Sequence, residues 1–376
     1  MTSVAKPSVA RFTKALALAG AFVAFGCSSE APDAARTDGK QLWVHRGEAQ
    51  GTTYLIKYLA KDSVAQVDLD RVFESVDVEM NAWRPESTLS RFNAMEQMDS
   101  AFVLLDEDNV WRDLWRLSTK VSDWSGGALD ISMAPLMKLW GFRTQHRDIV
   151  TEAMVDSVRQ FSGWREGLVQ WEECASSEAC GLRMTKAHPR VALDFNAVAQ
   201  GYTVDLLCNE LMEHGVVDAM VELGGEVKCM GQNEMRVPWR IAIDRPQPEG
   251  RSLQAIVGIQ DMAICTSGNY RKSVEVNGVK LSHTLDPRTG APVTHSLLSA
   301  TIMMSNAAEA DACATACMVL GPDRAREWIE EMNQNGHAME AMFIFQSSNG
   351  EMAYWTTPWL EDQLEWVQEL PGGSEI

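Results

Sequence analysis

Residues Leu298–Pro322 read LSATIMMSNAAEADACATACMVLGP. Leu298–Met304 has the composition of a strand. Ala307–Leu320 is rich in alanine, has few breakers and stops at Gly321-Pro322, which predicts a helix capped by Asn306 or Ser305. Working outward, strands are expected in Gln50–Tyr58, Ala219–Leu223, Trp239–Ile243 and Val257–Ile259, with hairpin turns at Asn277-Gly278 and Asn349-Gly350. Helical periodicity marks Val67–Met80 and Val110–Trp124, the second closed by Ser125-Gly126-Gly127. Helices and antiparallel hairpins intermix without βαβ regularity, so the expected class is α+β, with a single domain over residues 41–376. Arg165–Pro189 reads as an added surface loop.

The chain has 376 residues, of which 45% are hydrophobic, ample for a substantial core. Its formal charge of -19 argues against an electrostatic hold on nucleic acid, because phosphate contacts need clustered Lys and Arg. An anionic substrate is still compatible with this charge if a metal and backbone N–H groups supply the positive field.

On the expected helix Ala307–Leu320, Asp311 and Thr315 are four apart and share one face. A carboxylate and a hydroxyl are hard oxygen donors of the kind that suits Mg²⁺, which commonly takes only one or two protein ligands. Spacing alone does not decide this, since such a pair also serves as a cap or a buried polar network. Upstream, Ser282-His283-Thr284-Leu285-Asp286-Pro287-Arg288-Thr289-Gly290 follows an alternating run. A strand would therefore deliver His283 to a loop at a sheet end. Asp286, Pro287 and Gly290 are expected to fix the shape of that turn.

The N-terminus reads as a targeting segment. Lys6, Arg11 and Lys14 form a basic region ahead of the short apolar run Ala15–Gly26. Ala24-Phe25-Gly26-Cys27 resembles a bacterial lipobox, which makes residues 1–26 a lipoprotein signal and Cys27 the lipidated residue; a plain secretory signal is the alternative. Residues 27–40 then read as a flexible tether. In an oxidising compartment Cys174 and Cys180, flanking a polar loop, are candidates for a disulfide, and Cys208, Cys229, Cys265, Cys313 and Cys317 read as buried.

The chain has no Gly-x-Gly-x-x-Gly after a strand, no Walker A loop, no His-Glu-x-x-His and no Gly-x-Ser-x-Gly. Other segments carry a resemblance. They are Gly51-Thr52-Thr53-Tyr54, Trp83 through Asn93, Gly127-Ala128-Leu129-Asp130-Ile131, Leu139-Trp140-Gly141-Phe142 and Leu193 through Asp205. Leu223-Gly224-Gly225-Glu226, Thr266-Ser267-Gly268-Asn269-Tyr270, the His283 to Gly290 turn and Ala310 through Thr315 follow in order. Together they resemble the ApbE family of FAD:protein FMN transferases over about residues 41 to 355.

The resemblance implies a single ApbE-like, T-fold-like catalytic domain in a periplasmic lipoprotein, held at the membrane through lipidated Cys27. Such a protein would take FAD as substrate and Mg²⁺ as cofactor. It would transfer FMN to a threonine in a Ser-Gly-Ala-Thr-like motif of an exported acceptor, such as a redox-pump subunit, and release AMP. Matched to the family, Asp311, Thr315 and the backbone carbonyl of Ala197 are the expected metal ligands. Gln50, Trp83, Ala128, Leu129, Asp130, Asp194 and Gln200 fall on FAD-contacting positions. Gln50, Trp83 and Gln200 depart from the residues most frequent there. His283 is expected beside the reacting phosphate, where a ring that titrates near neutrality could take a proton, and with Asp311 it forms the catalytic pair. Two alternatives stand beside this: hydrolysis of FAD to FMN and AMP, which would use the same metal and pyrophosphate, and a lipid-anchored flavin carrier without turnover, against which Asp311, Thr315 and His283 speak because flavin storage needs no metal pair.

Overall fold

The structure, a computed structural model, describes residues 39–97, 101–142, 149–164, 167–174, 181–247, 250–269, 273–276 and 279–372. The expected signal segment, Cys27, most of the tether, Cys180, Tyr270 and the Asn277-Gly278 turn lie outside the described residues. In chain order the elements begin with β1 (Gln41–Ala49), β2 (Thr52–Ala60), α1 (Gln66–Met80), α2 (Thr88–Asn93), β3 (Phe102–Leu104) and α3 (Val110–Trp124). Next come α4 (Ala134–Leu139), α5 (Glu152–Arg159), β4 (Val169–Glu173), β5 (Leu182–Lys186) and α6 (Ala199–Glu213). Then follow β6 (Ala219–Leu223), β7 (Glu226–Met230), β8 (Trp239–Asp244), β9 (Leu253–Ile259) and β10 (Met262–Gly268). The short strands β11 (Ser273–Val276), β12 (Val279–Ser282), β13 (Leu285–Asp286) and β14 (Ala291–Pro292) lead to β15 (Leu297–Met304) and α7 (Ala307–Leu320). The chain closes with α8 (Pro322–Gln334), β16 (Glu340–Gln346), β17 (Met352–Thr356), α9 (Pro358–Gln363) and β18 (Leu364–Trp366).

The expected α+β class holds. An 8-stranded sheet runs in the order β1-β2-β6-β7-β10-β15-β16-β17, with every described pairing antiparallel. Its strands alternate between two cores, as the period of a strand requires. Ala263 and Cys265 of β10, Ala300 and Ile302 of β15, and Phe343 and Phe345 of β16 face the larger core, in which α7 packs on β10 and β15 and α8 packs on β16. Ile264, Met303 and Ile344, between them in sequence, face the 3-stranded sheet β18-β9-β8.

Helix α7 runs through the centre of the larger core, against α6, β10, β15 and α3. A helix apolar on all sides is a buried one, and in α7 every residue except Glu309 and Thr315 is buried. Asn306 is the cap, its side chain accepting from the Glu309 N–H at 2.9 Å. The break at Gly321 is sharp because Pro322 opens α8 at its first turn.

Two local expectations are corrected. Gln50 is not in the first strand: Ala49 of β1 stands opposite Thr52, and Gln50 and Gly51 form the turn with φ of 51° and 74°. Turn twist of that hand matches the twist of paired strands. Arg165–Pro189 is not merely a surface loop, since β4 and β5 join β3 in a 3-stranded sheet with Leu182 and Met184 buried. Helix α6 was not legible as a helix, because Gly201, Tyr202, Thr203, Val204 and Asp205 are all buried and leave no polar stripe in its first turns. Cys174 is disulfide-bonded, while Cys208, Cys229, Cys265, Cys313 and Cys317 are buried free thiols.

Candidate functional site

The site is built where the start of α6 meets the middle of α7. Gly201 lets the two helices touch: a Cβ there would lie 2.4 Å from the Ala307 carbonyl oxygen and 2.8 Å from Asp311 Cβ. At this distance the Gly201 N–H donates to Asp311 Oδ2, 3.1 Å away. Gly201 is the third residue of α6, so its N–H is one of the first-turn donors that have no carbonyl partner within the helix. The Tyr202 N–H, one residue on, donates to the Val198 carbonyl at 3.0 Å. Asp311 of α7 thus supplies the acceptor that the start of α6 lacks, and Ala197 lies two residues before that start.

Asp311 is 6% exposed. Burial first, then the charge of Glu226, push its carboxyl well above the usual carboxylate range, against the pull of the Gly201 hydrogen bond. Among the described residues no Lys or Arg pairs with Asp311. One turn further along α7, Thr315 Oγ1 lies 3.3 Å from Ser267 Oγ on β10. A carboxylate, a hydroxyl and a backbone carbonyl are all hard oxygen donors. A dry carboxylate whose ionised form lacks a cationic partner is the kind of group that a divalent cation would stabilise. The residues therefore fit Mg²⁺.

Gln200 and Glu226 converge on the β6–β7 turn: a Cβ on Gly224 would come within 2.9 Å of Gln200 Nε2 and 3.2 Å of Glu226 Oε2. Gly224 has φ of 68°, so this close approach and the turn itself both call for glycine. Gln50 joins the same end of α6, its Nε2 donating to Thr203 Oγ1 at 2.8 Å. Asp194 and the Ala128–Asp130 segment meet through the Asp194 N–H, which donates to the Ile131 carbonyl at 2.7 Å. Ala128 and Leu129 are buried. Asp130 Oδ1 accepts from the Ser132 N–H and hydroxyl at 2.7 Å and 2.6 Å. Asp194 Oδ1 accepts from the Asn196 N–H at 2.8 Å. Both carboxylates thus have one oxygen engaged in a local turn.

Trp83 stands on the α1–α2 connection and is 72% exposed. His283 is partly buried between β12 and β13, and β13 packs on α7. The turn after it is held as its sequence suggests. Arg288 forms a two-pronged pair with Asp286 at 2.8 Å and 2.7 Å, and the Gly290 N–H donates to the Asp286 carbonyl at 2.7 Å. Burial opposes ionisation of Asp286, but the Arg288 hydrogen bonds prevail and hold its carboxyl below the usual range.

Glu226, Ser267 and Gly201 lie within the segments quoted above, but their sequence context assigns them no role. The signal available for Glu226 was its place in a strand with Lys228, two residues on and on the same face. Away from this site, Asp68, Glu210 and His214 also bring metal-ligating residue types together. There Arg71 stands 3.2 Å from Asp68, and a His214 ring nitrogen is 3.0 Å from the Glu210 carbonyl oxygen, so the protein itself supplies their partners.

Comparison with known proteins matches residues 50–343 to the ApbE family. The FAD:protein FMN transferase of Vibrio cholerae is 34% identical over 315 residues, which span 82% of this chain and 89% of that protein. The FAD:protein FMN transferase of Escherichia coli K12 is 28% identical, over 92% of this chain and 96% of its own. Among solved structures, the flavin transferase ApbE from Vibrio cholerae superposes with a TM-score of 0.72 at 29% identity, covering 86% of this chain and 99% of that one. The apo form of the Pseudomonas stutzeri flavinyl transferase ApbE gives the same TM-score, 0.72, at 30% identity, with 86% of this chain and 97% of that one covered.

Proposed function

The chain belongs to the ApbE family, and from that premise we propose that it cleaves FAD at the pyrophosphate and transfers the FMN half to a threonine hydroxyl of an exported acceptor protein, releasing AMP. The observation that supports this reading is the junction at Gly201, whose N–H donates to the buried Asp311 of α7, at the start of the helix that Ala197 precedes. Asp311, Thr315 and the Ala197 carbonyl would hold Mg²⁺, which when bound would neutralise the pyrophosphate charge.

The other residues bind, orient and move a proton. Asp194, Asp130 and Gln200 would take the hydrogen-bonding edges of the dinucleotide, Ala128 and Leu129 would bring backbone close to it, and Gln50 would close the α6 end. Trp83 supplies an aromatic face. The threonine oxygen attacks the phosphorus of the FMN half and forms a new P–O bond. The bond from that phosphorus to the bridging oxygen breaks, and this oxygen leaves with AMP. The proton of the threonine hydroxyl passes to the His283 ring. A nucleophile held in line by the protein is what separates transfer from hydrolysis by water.

The basic and apolar segment at residues 1–26 and Cys27 support export and anchoring at the periplasmic face of a bacterial membrane, with the tether at 27–40 giving the domain reach. Among the described residues no helix is long and apolar enough to cross a membrane.

The test is incubation of the purified protein with FAD, Mg²⁺ and an exported acceptor domain carrying a Ser-Gly-Ala-Thr-like motif, read by intact mass. An adduct of FMN mass on the acceptor is expected. Free FMN beside an unchanged acceptor would assign hydrolysis instead, and bound but unconverted FAD would make the chain a flavin carrier.

A further inference from the structure

We propose that Asp205 is a positioning residue for the metal site, setting the placement of α7 so that Asp311 and Thr315 face the Ala197 carbonyl; this rests on the magnesium reading above. Asp205 lies on α6, one turn after Gly201, and is 7% exposed. Its Oδ1 accepts from the Ala307 N–H at 3.1 Å and its Oδ2 from the Ala308 N–H at 2.9 Å, the first two residues of α7. Lys228 of β7 donates to the same Oδ1 at 2.6 Å.

Asn306 already caps α7 in the ordinary way, so Asp205 is a second cap reaching in from another helix. Its charge meets the positive end of the helix dipole in a dry environment, where such an interaction is at its strongest. Gly201 and Asp205 are four apart on α6, and the groups they grip, Asp311 and Ala307, are four apart on α7. The two helices are thus clamped antiparallel at two points one turn apart. Ala197 lies just before the first turn of the helix that does the clamping, so the separation of the carbonyl from the α7 ligands depends on this grip. Strand β7 completes the arrangement from one face, with Glu226 close enough to act on Asp311 and Lys228 bonded to Asp205.

An asparagine at 205 keeps one acceptor but turns an amide N–H₂ toward the second helical N–H, releasing one grip. A purely structural role would cost stability alone, whereas a positioning role also costs metal affinity. Asp106 supplies the control. It is likewise a buried aspartate capping a helix, accepting from the Trp111 and Arg112 N–H groups of α3 at 2.9 Å and 3.2 Å, but α3 carries no metal ligand.

The experiment is a Mn²⁺ titration of FAD-loaded protein, with free Mn²⁺ counted by electron paramagnetic resonance. It compares the wild type with Asp311→Ala, Asp205→Asn and Asp106→Asn, each also melted to record stability. Asp205→Asn is expected to weaken Mn²⁺ binding by about tenfold, the usual scale for losing a residue that supports a ligand, while Asp106→Asn leaves it unchanged at a similar melting loss. If Asp205→Asn does not fold, Lys228→Gln replaces it, with weaker binding again expected. Wild-type affinity in the folded Asp205→Asn or Lys228→Gln variant overturns the inference alone, provided Asp311→Ala has lost binding. Wild-type affinity in Asp311→Ala, or no binding by the wild type, overturns the metal reading itself.

Discussion

The Gly201 N–H and the Asp311 carboxylate meet at 3.1 Å across two packed helices, satisfying a first-turn donor that has no partner within its own helix. A side chain at 201 is incompatible with that contact, because its Cβ would lie 2.4 Å from the Ala307 carbonyl oxygen. Gly201→Ala should therefore push α7 off α6. We expect a stability loss of about 1–3 kcal/mol, the scale of overpacking in a dense core, measured by urea denaturation. Transfer activity should fall further than stability explains.

His283→Gln should lower kcat by roughly 10²–10⁴-fold, the range for loss of a general base, with little change in the KM for FAD. Rapid-quench measurement of AMP release checks this. An unchanged kcat would move the proton acceptor to another group.

Metal binding should be linked to pH in one direction. Burial and Glu226 raise the Asp311 carboxyl in the metal-free protein, so the folded chain keeps a proton there that the unfolded chain sheds. That contribution to stability is present at low pH and is lost as pH rises through the raised value. A cation must displace the proton. The melting shift produced by Mg²⁺ should therefore grow as pH rises from acid toward neutrality, and thermal melts with and without Mg²⁺ across that range read it.

Lys186 gives a separate alkaline signature. Its ammonium is buried and donates to the carbonyls of Asn93, Pro189 and Val191 at 2.9 Å, 3.1 Å and 3.2 Å, and burial lowers its pKa from 10.5 to about 8. Between those values the unfolded chain holds a proton that the folded chain has shed, so this group's contribution to stability rises with pH. The stability of wild type relative to Lys186→Met should increase over that interval, as urea midpoints measured at its two ends would register.

Much of the site could be read from the chain because its ligands lie on a helix with clear borders. The stretch from the Asn306 cap to the Gly321 stop predicts α7 to the residue, and the four-residue spacing of Asp311 and Thr315 then fixes their common face. What escaped was set by tertiary contact. Asp205 looks like any polar residue of a buried segment until Ala307 and Ala308 are found against it, more than a hundred positions away. Strand β1 escaped for a different reason: at the sheet edge its burial alternates only between exposed and half-buried, which leaves little hydrophobic pattern. The Gln50-Gly51 turn was hidden because glutamine is an uncommon choice for positive φ.

On the proposed reading, Asp311, Thr315 and the Ala197 carbonyl would hold a divalent cation against the FAD pyrophosphate. Crystals soaked with FAD and Mn²⁺ test it directly through the anomalous signal of the metal. The account predicts a peak within coordination distance of the Asp311 carboxylate, the Thr315 hydroxyl and the Ala197 carbonyl, touching the bound pyrophosphate. A peak at Asp68, Glu210 and His214 with none at Asp311, or FAD bound far from α7, would contradict it.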